Sequence, residues 1–132
     1  MPKVLIADDS PTERRLFQRA LARLPVEVLL AGDGDEAERI IHEARPDLLV
    51  LDVVMPGKNG FALCRELKAD PAFATMPILI VTSKDQDADI FWGQRQGADE
   101  YLVKPFSPQD LADAVKRHLG LDGAASPGDD AV

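Results

Sequence analysis

Five short apolar runs, Val4–Ala7, Val26–Ala31, Leu48–Leu51, Ile78–Val81 and Tyr101–Val103, are spaced along the 132 residues, and each is followed by a stretch with a different rhythm. Between the runs apolar residues return at three- and four-residue intervals: Leu16, Ala20 and Leu24, then Ala37, Ile40, Ile41 and Ala44, then Leu63, Cys64 and Leu67. The first pattern predicts strands covered on both faces, and the second predicts helices burying one face. Five such β-α units imply a mostly parallel sheet with helices on both sides, because right-handed crossovers put them there. The expected fold is therefore a doubly wound five-stranded α/β domain. A chain of this length fits one domain burying roughly two-thirds of the surface its unfolded form exposes.

Helix punctuation agrees. Ser10 and Pro11 form an N-cap followed by a first-turn proline, and Glu13 completes a capping-box pattern. Ser107 and Pro108 repeat the device before Leu111, Val115 and Leu119, while Pro25, Pro46, Pro71 and Gly97 mark helix stops. The "GDG" at Gly32–Gly34 lacks the spacing of a dinucleotide fingerprint and reads as a turn. Residues 1–120 form the expected domain. Residues 121–132, rich in Gly, Ala, Pro and Asp without periodicity, read as a flexible tail.

A net charge of −8 without any basic tract argues against direct nucleic-acid binding. No run is long enough to insert in a membrane and no secretory leader is recognisable, which predicts a cytoplasmic protein. The single cysteine, Cys64, falls at an apolar helix position and reads as buried filler, and His42 and His118 read as solvated.

In open α/β sheets ligands bind beyond the carboxyl ends of the strands, so the residues there define the candidate site. They are Asp8 and Asp9 after the first run, Asp52 after the third, Thr82 and Ser83 after the fourth, and Lys104 after the fifth. Converging carboxylates repel one another unless a divalent cation neutralises them, and a hard, oxygen-ligated ion such as Mg²⁺ suits them. A hydroxyl and an ammonium beside that ion, Thr82 and Lys104, suit a phosphoryl group.

From Lys3 to Leu119 the chain resembles the receiver domains of two-component response regulators, the CheY-like proteins with a flavodoxin-like fold. "VLIADDS", "LLVLDVVMPGKNGFALCRELK", "ILIVTS" and "DEYLVKPF" carry the resemblance. It implies that Asp52 accepts phosphate from the phosphohistidine of a sensor histidine kinase. Asp9 would then ligate Mg²⁺ directly, Asp8 largely through water, and the backbone carbonyl of Val54 would complete the protein's share. By the same resemblance Lys104 pairs with the acceptor or its phosphoryl oxygens, the bond to Pro105 is cis, and Thr82 and Tyr101 form a switch. Neither Val54 nor Lys84, the positions that tune hydrolysis in receivers, supplies a carboxylate or amide to orient water, which implies phosphate loss slower than in the fastest chemotaxis receivers.

Phe91 and Trp92 are adjacent on the fourth helix, so both cannot face the core, and one is expected to be exposed. With Ile90 they mark a contact face made of the fourth helix, fifth strand and fifth helix. The downstream effector is not specified, and whether phosphorylated copies pair there as a homodimer stays open. "TSKDQDADIFWGQRQGADEYLVKPF" resembles a narrower group, the PilH-type receivers of chemotaxis-like systems that control twitching motility. Two other classes remain: a small Mg²⁺-dependent phosphohydrolase using Asp52 covalently, for which "DVVM" lacks a second aspartate, and a docking module that is never phosphorylated. The expectation is a phosphoacceptor that assists its own phosphorylation and is not an enzyme acting on outside substrates.

Overall fold

The computed structural model of the chain describes residues 1–83 and 86–121. Strands and helices alternate through it as β1 (Lys3–Ala7), α1 (Pro11–Ala20), β2 (Glu27–Ala31), α2 (Gly34–Ala44), β3 (Leu48–Leu51), α3 (Gly60–Ala69), β4 (Ile78–Thr82), α4 (Asp87–Arg95), β5 (Glu100–Val103) and α5 (Pro108–Leu119). The strands pair in the order β2-β1-β3-β4-β5, all parallel, which is the expected doubly wound sheet. Strand bounds differ from the apolar runs by a residue. Lys3 pairs with Glu27, Leu79 with Glu100 and Thr82 with Val103, because a backbone ladder needs no apolar side chain to continue. The stretch expected as a tail lies outside the described residues except for Leu121, and so does Lys84.

Successive strand residues point to opposite faces, which explains runs that are apolar at every position. Val4, Ile6, Leu48, Val50, Leu79 and Val81 pack with Phe17 of α1, Leu21 just beyond its end, and Leu111 and Val115 of α5. Leu5, Ala7, Leu49, Leu51 and Ile78 pack with Ala37, Ile41, Leu63 and Leu67 from α2 and α3. Each fully buried Leu or Ile contributes about 1.5–3 kcal/mol, so the twin cores make the central strands a rigid platform.

Helix entries follow the sequence signals with one departure. Ser107 and Asp110 close a full capping box at α5. At α1 only half of it forms: Ser10 Oγ accepts from the Glu13 N–H at 3.2 Å, but the Ser10 N–H donates to Asp8 Oδ1 at 2.9 Å. The Glu13 carboxylate instead lies 3.4 Å from Lys104 Nζ, drawn by a full positive charge rather than a backbone dipole. The "GDG" turn leads into α2, with Asp33 Oδ1 accepting from the Glu36 N–H at 2.7 Å.

Cys64 is buried as expected, and burial pushes its thiol up to about 11. His42 is exposed, its ring edge-on to Phe73 at 5.3 Å. His118 departs from expectation. It is half-buried with Nε2 2.9 Å from Glu100 Oε1, because α5 carries it past the start of β5. No described helix is long and apolar enough to cross a membrane.

Chain order reverses at β1, with β2 on one side and β3 to β5 on the other, so a crevice opens beyond β1 and β3. The loop from β3 to α3 borders it and is tied to α2, where the Gly34 N–H donates to the Pro56 carbonyl at 3.2 Å. Gly34 is buried, and a Cβ there would lie 2.8 Å from the Lys58 backbone nitrogen and closer still to its carbonyl oxygen. Gly34→Ala must displace that loop, and overpacking of this kind costs about 1–3 kcal/mol. Urea unfolding of the variant is expected to show a lower midpoint with an unchanged slope.

Candidate functional site

The ladders run one residue past the strands and thereby place the site. The Asp8 N–H donates to the Ala31 carbonyl at 3.1 Å, the Asp52 N–H to Ala7 at 2.9 Å and the Lys104 N–H to Thr82 at 2.8 Å. Because Ala7 and Leu51 are in register, Asp8 and Asp52 leave the sheet side by side. Both are buried, at 1% and 5% exposure, whereas Asp9 is exposed. The three offer carboxylate oxygens that lie within 4.8 Å of one another.

Lys104 reaches this cluster from the far side. Its Nζ donates to Asp8 Oδ2 at 2.7 Å and to Asp52 Oδ2 at 3.1 Å. The ammonium also sits 5.6 Å from the centre of the Phe17 ring, which stacks on Phe106 at 5.5 Å. The remaining carboxylate oxygens have partners too: Asp8 Oδ1 accepts from the Ser10 N–H and Asp52 Oδ1 from the Val54 N–H at 2.8 Å.

These surroundings set the charges. Burial raises the Asp52 carboxyl above its ordinary value, and the bonds from Val54 and Lys104 only partly offset it. Burial works against the Lys104 ammonium, but its hydrogen bonds to Asp8 and Asp52 outweigh that and raise it. The three clustered carboxyl groups thus share a single ammonium, which is bonded to two of them. Hard oxygen donors this close, with one positive charge between them, fit a small divalent cation.

The strand-end residues thus gather as expected. Thr82 is buried at the end of β4 with its backbone bonded to Lys104. Val54 is exposed and lines a hollow of about 370 Å³ with Asp9, Val53, Met55 and Pro56. The Lys104–Pro105 bond is cis. Tyr101 is half-buried on β5 against Gly93 of α4, where a Cβ would lie 2.8 Å from its ring. Ile90 is half-buried on α4, and both Phe91 and Trp92 are exposed, at 59% and 52%, rather than one of them. The α4 surface buried against the rest of the protein is carried by Gly93, so neither ring turns inward. Glu13 is the residue that sequence reasoning missed. The pattern at α1 reads as a cap, and only the register of Lys104 shows otherwise.

Comparison with known proteins decides the family: the model of the response regulator receiver domain matches residues 4–116. The chain belongs to that family. The receiver is 40% identical over 119 residues to protein PilH of Pseudomonas aeruginosa, an alignment spanning 90% of this chain and 98% of PilH. Its fold superposes on the chemotaxis response regulator CheY4 of Vibrio cholerae with a TM-score of 0.82 at 34% identity, covering 89% of this chain and 98% of that one. It also superposes on the Mn²⁺-bound form of the response regulator Rcp1, with a TM-score of 0.76 at 25% identity, covering 89% and 91%. The receiver spans about half the length of the transcriptional regulators that it also matches. Receivers are signalling proteins that take phosphate from histidine kinases, and this one has their CheY-like architecture.

The raised Asp52 value has a measurable consequence. Its ionisation is less favourable in the folded chain than in the unfolded one, so stability declines as pH rises from 3.8 through the raised folded value. In neutral buffer containing EDTA, Asp52→Asn is expected to unfold at a higher urea concentration than wild type, and the gap should close below about pH 4. Equal midpoints at neutral pH would show that Lys104 compensates the charge fully.

Proposed function

We propose that this receiver accepts a phosphoryl group on Asp52 from the phosphohistidine of a sensor histidine kinase and signals by protein contact. The observation that carries the reading is the juxtaposition of Asp8, Asp9 and Asp52 with Lys104 bonded to two of them. An Asp52 carboxylate oxygen forms the new bond to phosphorus while the bond from phosphorus to the donor's imidazole nitrogen breaks, leaving its electron pair on that nitrogen. The carboxylates of Asp9 and Asp52, the carbonyl of Val54 and a water held by Asp8 suit Mg²⁺. When bound, that ion supplies countercharge for a transferring phosphoryl group. Lys104 and the Thr82 hydroxyl hold the phosphoryl oxygens, and the Val54 N–H fixes the acceptor's orientation.

Thr82 and Tyr101 then shift the balance of two conformations, presenting Ile90, Phe91 and Trp92 of α4 to an effector or to a second phosphorylated copy. Exposed aromatic side chains often dominate interface energy, and the chain's negative charge favours a protein partner over nucleic acid. The likeness to PilH along nearly the whole of that protein supports a place in cytoplasmic signalling that controls twitching motility.

Acetyl phosphate with Mg²⁺ should add the mass of one phosphoryl group to the wild type. Asp52→Ala should add none, and EDTA should abolish the gain. Label retained on Asp52→Ala would overturn the assignment. Beryllofluoride with Mg²⁺ is expected to shift the amide resonances of Ile90 to Gln94, and unchanged resonances there would remove the α4 face from the mechanism.

A further inference from the structure

Glu13 is held out of its helix cap by Lys104. Its Oε1 lies 3.4 Å from Lys104 Nζ, while the Ser10 N–H that a capping box would offer to Glu13 donates to Asp8 instead. The ammonium thus faces Asp8 Oδ2 at 2.7 Å, Asp52 Oδ2 at 3.1 Å and Glu13 Oε1 at 3.4 Å. An ammonium has three N–H donors, and three carboxylates now claim them. Two of these are buried and fixed to backbone N–H groups, while the Glu13 side chain is 33% exposed. Glu13 also lines a cavity of about 540 Å³ with Ser83, Lys104 and Phe106, so its side chain has space beside it into which to swing away from the ammonium.

We propose that Glu13 is a positioning residue that holds Lys104 in its resting place and must release it before the ammonium can turn a donor toward an incoming phosphoryl group. This rests on the assignment of Asp52 as phosphoacceptor. Of the three partners Glu13 has the longest contact and the greatest freedom to move into solvent, so it is the one that gives way. Its attraction for Lys104 is a cost met on the way to phosphorylation, and removing it speeds the reaction.

Phosphorylation by acetyl phosphate at saturating Mg²⁺, followed by intact-protein mass, tests this on three proteins: wild type, Glu13→Gln and Glu13→Asp. Glu13→Gln keeps the shape and removes the charge, while Glu13→Asp keeps the charge but is one methylene too short to reach Lys104. Both variants are expected to gain label about two- to fivefold faster than wild type, the rate equivalent of an exposed ion pair. Three equal rates overturn the proposal, as does a Glu13→Asp variant that keeps the wild-type rate, since that would leave only an effect of net charge. Wild type that takes up no label at all would instead overturn the phosphoacceptor assignment.

Discussion

The contact between Lys104 and the paired carboxylates of Asp8 and Asp52 is the one on which the rest of this site depends. It spans 96 and 52 residues of sequence and fastens the ends of β1, β3 and β5 together. Asp8 and Asp52 would be costly to bury without a cation, and deleting Lys104, which is bonded to both, costs about 3–5 kcal/mol because bare charges are left behind. The raised Lys104 value keeps the ammonium charged at neutral pH. Its contribution is complete below the ordinary value of 10.5 and is lost only as pH rises through the higher folded one. Yet a single ammonium leaves two negative charges unmatched among Asp8, Asp9, Asp52 and Lys104. That residue of charge suits a divalent cation, so the contact that fastens the three strand ends also leaves a site of the right sign for one.

Geometry of this quality requires the loop after β3 to be held as firmly as the strands. Lys58 ties it down, with Nζ 3.2 Å from Glu38 of α2 and 2.6 Å from Glu66 of α3. The missing side chain at Gly34 lets the Lys58 backbone approach the start of α2. The exposed ion pairs are each worth about 0.2–1 kcal/mol, so they steer the loop more than they stabilise it. Backbone contact supplies the firmness. The result is that the Val54 N–H points at Asp52 while the Val54 side chain is left in solvent.

The sheet was legible in the sequence because burial on both faces leaves an unbroken apolar run, and few other structures do. The site was legible because strand ends in a parallel sheet converge whatever the residues between them, so Asp8, Asp9, Asp52, Thr82 and Lys104 could be named from position alone. What escaped was competition between equally plausible partners. Glu13 satisfies the pattern of a capping box, but an ammonium brought by β5 attracts it more strongly than the Ser10 N–H. His118 looks solvated on its own helix, and only the approach of Glu100 gives it a partner. Burial works to raise the Glu100 carboxyl, yet His118 and Arg117 together hold it below the ordinary carboxylate value. Such outcomes depend on distances between elements, which no local pattern encodes.

Packing at one position joins the fourth helix, which carries the exposed rings, to the elements that flank the acidic cluster. A glycine inside a helix costs about 1 kcal/mol relative to alanine, so Gly93 is unfavourable by local preference. Tertiary packing explains it: a Cβ there would lie 2.8 Å from the Tyr101 ring and 3.2 Å from Phe61. Phe61 stands at the start of α3, where its N–H donates to Asn59 Oδ1 at the end of the loop that follows β3. Tyr101 stands on the strand that delivers Lys104. Displacement of either the loop or β5 therefore reaches α4 at the same point, one residue from Trp92 and two from Phe91. A helix with a side chain at that position would be pushed away from both aromatic rings, and the packing that joins α4 to α3 and β5 would be lost.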